Sequence, residues 1–192
     1  MSLMFVNAVA FYKSYHNNHI NQWIHLVCIP LIFFTGFIFL SYTEPVSRIT
    51  GGANWSFVVA AVYVIYYLVL ELPTLPVAGV IASSVVIFFK QYSEILTKTH
   101  PDIWKPALAV HIIAWLTQFY GHAVHEGRSP ALVDNLAQAF LSAPFFVLLE
   151  CMFSMGYKKE MQQKIDVIVA KNIEEFNAAK KNGRAVAAKK KN

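Results

Sequence analysis

Five apolar stretches decide most of what this chain can fold into. They run from about Ile24 to Tyr42, Trp55 to Leu72, Leu75 to Phe89, Pro106 to Tyr120 and Ala137 to Met155. A helix needs about 20 apolar residues to cross the hydrocarbon core of a bilayer, with a lower limit near 17. The first, second and fifth stretches meet that limit; the third and fourth must borrow flanking residues. Pro73 and Pro76 bracket a tight connection, so stretches two and three read as a helical hairpin. Pro30 falls in the first turns of stretch one, whereas Pro144 interrupts stretch five and is expected to break it into a re-entrant pair unless that stretch is a fifth span. Met4, Phe5, Ala8, Phe11, Tyr12 and Tyr15 recur at three- and four-residue steps, the pattern of a short amphipathic helix. Composition agrees with a membrane as solvent: 56% of the 192 residues are hydrophobic and only 14% charged, too little polar surface for a soluble globule. An aromatic content of 15% excludes disorder as the main state. Cys28 and Cys151 both sit inside apolar runs, which excludes a disulfide scaffold. The expected fold is therefore an all-α membrane protein: a compact bundle of four transmembrane helices, a fifth re-entrant or spanning segment, a short N-terminal amphipathic helix and a basic tail, helical or disordered.

Charge divides the chain into a membrane-embedded part, residues 1–157, and a basic tail, residues 158–192. Ten of the 16 Lys and Arg residues lie in the tail against four acids. Nothing else resembles a nucleic-acid module, so this charge reads as a positive-inside tail beside anionic lipid. The tail opens amphipathic, with Met161, Ile165, Ile168 and Ile173 along one stripe. It ends Lys189-Lys190-Lys191-Asn192, which resembles the dilysine retrieval signal of endoplasmic-reticulum membrane proteins and implies a cytosolic C-terminus. No basic start or small-residue cleavage site marks a removable signal peptide.

The candidate chemistry lies in the histidines. His16, His19 and His25 precede or open stretch one, and His122 and His125 follow stretch four together with Glu126. If the first four stretches all span, parity returns both groups to one face of the membrane. Five histidines and a carboxylate there form a candidate metal site. His122 and Glu126, four apart on a helix, project from one face. His16 and His25 are nine residues apart, opposite sides of one continuous helix. Asn17 and Asn18 favour turns and helix starts, so a break at that point can turn both rings inward. Imidazole with carboxylate suits iron, zinc, copper or manganese. Two histidines plus one carboxylate, with positions left open, is the arrangement of non-haem Fe(II) oxygenases. No His-Glu-x-x-His motif supports a hydrolytic zinc site.

Two stretches resemble a known family. The first is Phe11-Tyr12-Lys13-Ser14-Tyr15-His16-Asn17-Asn18, followed by Ile24-His25 and Ile29-Pro30. The second, more specific, is Trp115-Leu116-Thr117-Gln118-Phe119-Tyr120-Gly121-His122, then Glu126-Gly127-Arg128-Ser129-Pro130-Ala131-Leu132-Val133-Asp134-Asn135-Leu136. Together they are similar to the motifs of the endoplasmic-reticulum 2-hydroxy-fatty-acid dioxygenases of fungi and bacteria, over about Phe11 to Tyr157. The resemblance implies a multi-pass endoplasmic-reticulum enzyme of fatty-acid α-oxidation. It would convert a long-chain 2-hydroxy fatty acid and dioxygen to the acid one carbon shorter, a step in phytosphingosine breakdown. It further implies Fe2+ as cofactor, and its motifs cover His16, His25, His122 and Glu126 as catalytic metal ligands. His19 and His125 rank behind these four. Arg128 is the expected clamp for the substrate carboxylate, because a guanidinium binds it bidentately. Asn135 is expected to face the site, and Asp134 to cap the next helix.

Other polar residues have simpler expected roles. His111 lies eleven residues before His122, about 16 Å along a helix axis, too deep for the same metal; it is expected to bond a neighbouring helix. Tyr12, Tyr15, Trp23 and Trp104 fit an interfacial aromatic belt. Asn54-Trp55-Ser56 fits the glycosylation pattern but abuts stretch two, too close to the membrane for use. Two other classes compete with the dioxygenase reading. A different lipid-modifying membrane metalloenzyme, such as a di-iron hydroxylase, needs more histidines in paired clusters. A non-enzymatic lipid-binding protein predicts no bound metal.

Overall fold

In the computed structural model, which describes residues 3–46, 53–71, 75–127 and 136–189, every regular element is helical. Helices α1 (Leu3–Tyr15), α2 (His19–Ser41), α3 (Trp55–Glu71), α4 (Pro76–Thr99) and α5 (Trp104–Tyr120) follow in order. Helix α5 runs on into a π-helical turn, Gly121–Glu126, and α6 (Leu136–Ser154) and α7 (Lys159–Lys189) complete the chain. The all-α bundle expected from the apolar stretches is present. Among the described residues three helices are long and apolar enough to cross a bilayer, α2, α4, and α5 together with its π turn, and α6 taken with α7 as one bent span would make a fourth. Helix α3 is apolar but shorter. Stretches three and four do borrow flanking residues. Helix α4 extends ten residues past Phe89, where Lys90 pairs with Glu94 at 2.9 Å and buried Ser93 meets Ser41 of α2 at 3.0 Å.

The helices alternate in direction. Asn54 caps α3 beside the C-terminal end of α2, its Oδ1 accepting from Ser56 Oγ and the Phe57 N–H. Tyr42, just after α2, donates its hydroxyl to the Pro101 carbonyl, just before α5. Helices α2 and α5 therefore run antiparallel, and α3 forms a hairpin with α4, which has Pro76 at its first turn. Small buried residues Ala78, Gly79, Ala82 and Ser83 let α4 approach its neighbours closely. Large apolar side chains such as Val27, Leu31, Ile87, Phe88, Ile113 and Leu116 face outward, as lipid-facing surface does.

Two expectations are corrected. Pro144 does not break stretch five: α6 passes through it as one helix. A proline in a helix leaves the carbonyl four residues earlier without its N–H partner. Here that carbonyl belongs to Phe140, and it accepts the Tyr63 hydroxyl at 2.9 Å from α3. Tyr67 donates in the same way to the Leu141 carbonyl. Neighbouring side chains thus replace the missing bond, and the helix continues. The sharp bend comes later, 116° between α6 and α7. The second correction concerns α1. Its buried face is Phe5, Val6, Val9, Ala10 and Tyr12, with Phe11 exposed, because the helix is covered on two sides. Phe145 and Phe146 of α6 meet Phe5 and Tyr12, and α7 packs along the other flank. Met161, Ile165 and Val169 of α7 are buried in the shared core. Lys13 pairs with Asp166 at 2.8 Å, and Asn172 donates to Ser14 Oγ at 3.0 Å.

Candidate metal centre

The chain breaks between α1 and α2 at the two asparagines. Asn18 caps α2, its side-chain oxygen accepting from the N–H groups of Ile20 and Asn21. The break redirects the chain so that His16, just past α1, and His25, inside α2, face each other. Their ring centroids are 4.3 Å apart. The third ring comes from the end of α5. The π turn sets His122 against both, at 4.9 Å from His16 and 4.7 Å from His25. One ligand nitrogen from each of the three lies within 4.8 Å of the others. The three residues expose only 3%, 3% and 4% of their surface, so these are not histidines meeting headgroups.

The hydrogen bonds prepare two of the rings as ligands. A carbonyl oxygen can only accept, so the Nδ1–H of His16 donates to the Tyr12 carbonyl at 2.8 Å. The Nδ1–H of His25 donates likewise to the Asn21 carbonyl at 2.9 Å. Fixing the proton on Nδ1 leaves the Nε2 lone pair for a metal. Three buried imidazoles, two of them held in the ligating tautomer, fit a divalent transition metal such as iron, zinc, copper or manganese. Tyr12 stacks on His16 at 4.1 Å and steadies its plane. Burial holds the Tyr12 phenol well above its ordinary range, with Glu150 adding to the effect, so the ring stays neutral.

Glu126, expected as a fourth ligand, is not in this group. Its Oε1 accepts instead from the Asn18 N–H at 2.8 Å and from Asn21 Nδ2 at 3.1 Å. The helix type explains the difference. A π turn adds a residue to each hydrogen-bonded ring, so residues four apart no longer stack as on an α-helix. Gly127 closes the turn at φ +62°, where glycine carries no steric penalty, and its N–H reaches the His122 carbonyl. His19 and His125 also lie outside the group. His19 is exposed and accepts from Trp23 Nε1, while His125 sits edge-on to Tyr120. His111 is bonded to its surroundings as expected. Trp115 Nε1–H donates to its Nε2 at 3.0 Å, so its Nδ1–H donates to Thr35 Oγ1 of α2 at 2.7 Å. Arg128, Asp134 and Asn135 lie outside the described residues, as do Lys190 and Lys191.

The histidines form the polar end of a cavity of about 370 Å³. One face of α2 makes its long wall: His25, Ile29, Ile32, Phe33, Gly36, Phe37 and Leu40, at three- and four-residue steps. From His25 to Leu40 this wall extends about 22 Å at 1.5 Å per residue. His111, Trp115 and Gln118 of α5 and His122 of the π turn line the opposite side, and Val59, Tyr63, Phe140 and Pro144 close the remainder. The cavity is long and apolar with the three-histidine group at one end, a shape suited to an acyl chain with a chelating head.

Three residues important to this geometry were not singled out from the sequence. Gln118, one turn before His122, lines the cavity and buries an amide nitrogen that has no hydrogen-bond partner. A lone amide in an apolar span, four residues before a candidate ligand, is the signal that marks it. Asn21 is fully buried and holds Glu126. Gly121 allows the contact, since a Cβ there would collide with the Asn21 side chain and press on Ile24.

Residues 3–155 match the family model described as 2-hydroxy-palmitic acid dioxygenase Mpo1-like. The chain is 33% identical over 158 residues to the 2-hydroxy-palmitic acid dioxygenase MPO1 of Saccharomyces cerevisiae, covering 82% of this chain and 85% of that one. No solved structure matches it.

Proposed function

Since the chain belongs to the Mpo1-like family, we propose that it is an Fe(II)-dependent dioxygenase that shortens long-chain 2-hydroxy fatty acids by one carbon. The observation that carries this reading is the three-imidazole group at one end of an apolar cavity. His16, His25 and His122 hold the iron, which supplies the dioxygen chemistry that cleaves the bond between C1 and C2 when bound. Three histidine ligands would suit a metal that must also admit a substrate and dioxygen.

The remaining roles belong to this chain's own side chains. The Tyr12 and Asn21 carbonyls orient two of the ligand rings. Glu126 acts behind the metal, holding the α1–α2 break in place through Asn18 and Asn21. Gln118 donates its spare amide hydrogens to the polar head of the substrate. Arg128 neutralises the carboxylate and Asn135 borders the head. The apolar wall of α2 takes the alkyl chain, each buried methylene contributing about 0.8 kcal/mol. Such a substrate already partitions into lipid, which accounts for an enzyme built from apolar, multi-pass helices. The endoplasmic-reticulum membrane, with the tail cytosolic, and sphingolipid breakdown complete the reading.

Metal analysis of the purified chain, followed by oxygen consumption with 2-hydroxyhexadecanoate under Fe(II), tests it. Stoichiometric metal and substrate-dependent oxygen uptake, with pentadecanoate as product, are expected. A metal-free protein that consumes no oxygen when iron is added would refute it.

A further inference from the structure

The long wall of the cavity contains one position without a side chain. Gly36 lies on the same face of α2 as His25, eleven residues further on, about 16 Å along the axis. A Cβ built on Gly36 meets nothing within 4 Å, so the space beside it is open. Gly121, whose Cβ would collide with Asn21, is the contrasting case: there glycine permits helix contact, whereas at position 36 it contributes nothing to packing. In a helix interior glycine is less favourable than alanine, so its presence at position 36 has no local stabilising cause.

Helix α2 is also unable to turn this position away. The neighbouring Thr35 bonds His111 at 2.7 Å, and His111 accepts from Trp115 on the next turn of α5. These bonds fix the rotation of α2 against α5 at this level. The cavity beside Gly36 is bounded by Phe33 and Tyr63, whose rings meet edge to face at 4.7 Å, and by Phe37 and Val59. Among these bulky lining groups, Gly36 is the position of the α2 wall that carries no side chain.

We propose that Gly36 determines the length of acyl chain the cavity accepts: its missing side chain lets the alkyl tail continue toward Leu40. The proposal rests on the fatty-acid reading of the cavity. A larger residue at 36 shortens the usable cavity from the end remote from the histidines and penalises long chains selectively.

Anaerobic calorimetry on the full chain tests this without turnover, by measuring the affinity for 2-hydroxyhexadecanoate relative to 2-hydroxydecanoate. Each methylene kept out of an apolar site weakens binding about fourfold. In Gly36→Leu the affinity ratio of the longer to the shorter acid should therefore fall by roughly tenfold or more. Gly36→Ala should move it in the same direction by less, and the ratio of kcat/KM values in air should follow. A native ratio in Gly36→Leu, or equal losses for both acids, overturns the ruler while leaving the fatty-acid reading intact. A native chain that binds neither acid overturns that reading, and the ruler with it.

Discussion

The backbone N–H of Asn18 donates to Oε1 of Glu126 at 2.8 Å, joining residues 108 apart in the chain. Through this bond the π turn at the end of α5 holds the break between α1 and α2. His16 lies just before the break and His122 four residues before the carboxylate, so one hydrogen bond couples the two parts of the candidate metal centre. Supporting partners of this kind typically alter metal affinity or activity by about 10–100-fold when removed. Glu126→Ala should weaken metal binding within that range, measured by competition with a chelating dye. Glu126→Gln keeps an oxygen for the Asn18 N–H and should lose much less. Equal, complete loss in both variants would make Glu126 a direct ligand instead.

Each of the three histidines contributes one face of the proposed coordination sphere. His16→Ala, His25→Ala and His122→Ala should each abolish bound metal and substrate-dependent oxygen uptake, while helical content by circular dichroism stays native. His19→Ala should keep both, because its exposed ring pairs only with Trp23 among the described contacts. Full metal occupancy in any of the three ligand variants would disprove the assignment.

Gly121→Ala places a methyl group against the buried Asn21 carboxamide. Overpacking of this kind destabilises by about 1–3 kcal/mol. Because the displaced group is the one that holds Glu126, metal affinity should fall together with the melting temperature. Thermal unfolding in detergent with and without added metal separates the two effects. An unchanged melting temperature would show that α2 and α5 can part without consequence.

Tyr63→Phe removes the donor that satisfies the carbonyl freed by Pro144. A buried acceptor left unsatisfied costs about 1–3 kcal/mol. Adding Pro144→Ala returns an N–H to that carbonyl, so the double variant should be more stable than Tyr63→Phe alone. Strict additivity of the two substitutions would mean that the hydroxyl and the proline act independently.

Much of this architecture could be read from residue patterns. The apolar stretches located the long helices, and the Asn17-Asn18 pair marked the break that turns His16 toward His25. Parity brought His122 to the same end, and depth excluded His111. What escaped depended on contacts between distant segments or on backbone geometry that side-chain periodicity does not encode. Spacing put Glu126 beside His122 because it assumed an α-helical turn, and the π turn redirects the carboxylate. Pro144 was expected to disrupt its helix because its rescue comes from a tyrosine on another helix. The buried face of α1 could not be located without knowing that α6 and α7 cover it from two sides. Gly121 and Asn21 carry no pattern of their own, and their importance appears only where two helices touch.

The matched family region ends at residue 155, and α7 begins at Lys159. Yet α7 covers α1, and α1 aims the first imidazole through the Tyr12 carbonyl. Trimming the chain to the matched residues would uncover one flank of that helix and remove the contacts of Asp166 with Lys13 and of Asn172 with Ser14. Helix α7 is thus a buttress for the three-histidine end of the bundle, and an affinity handle or truncation placed within it would be felt at the candidate metal centre.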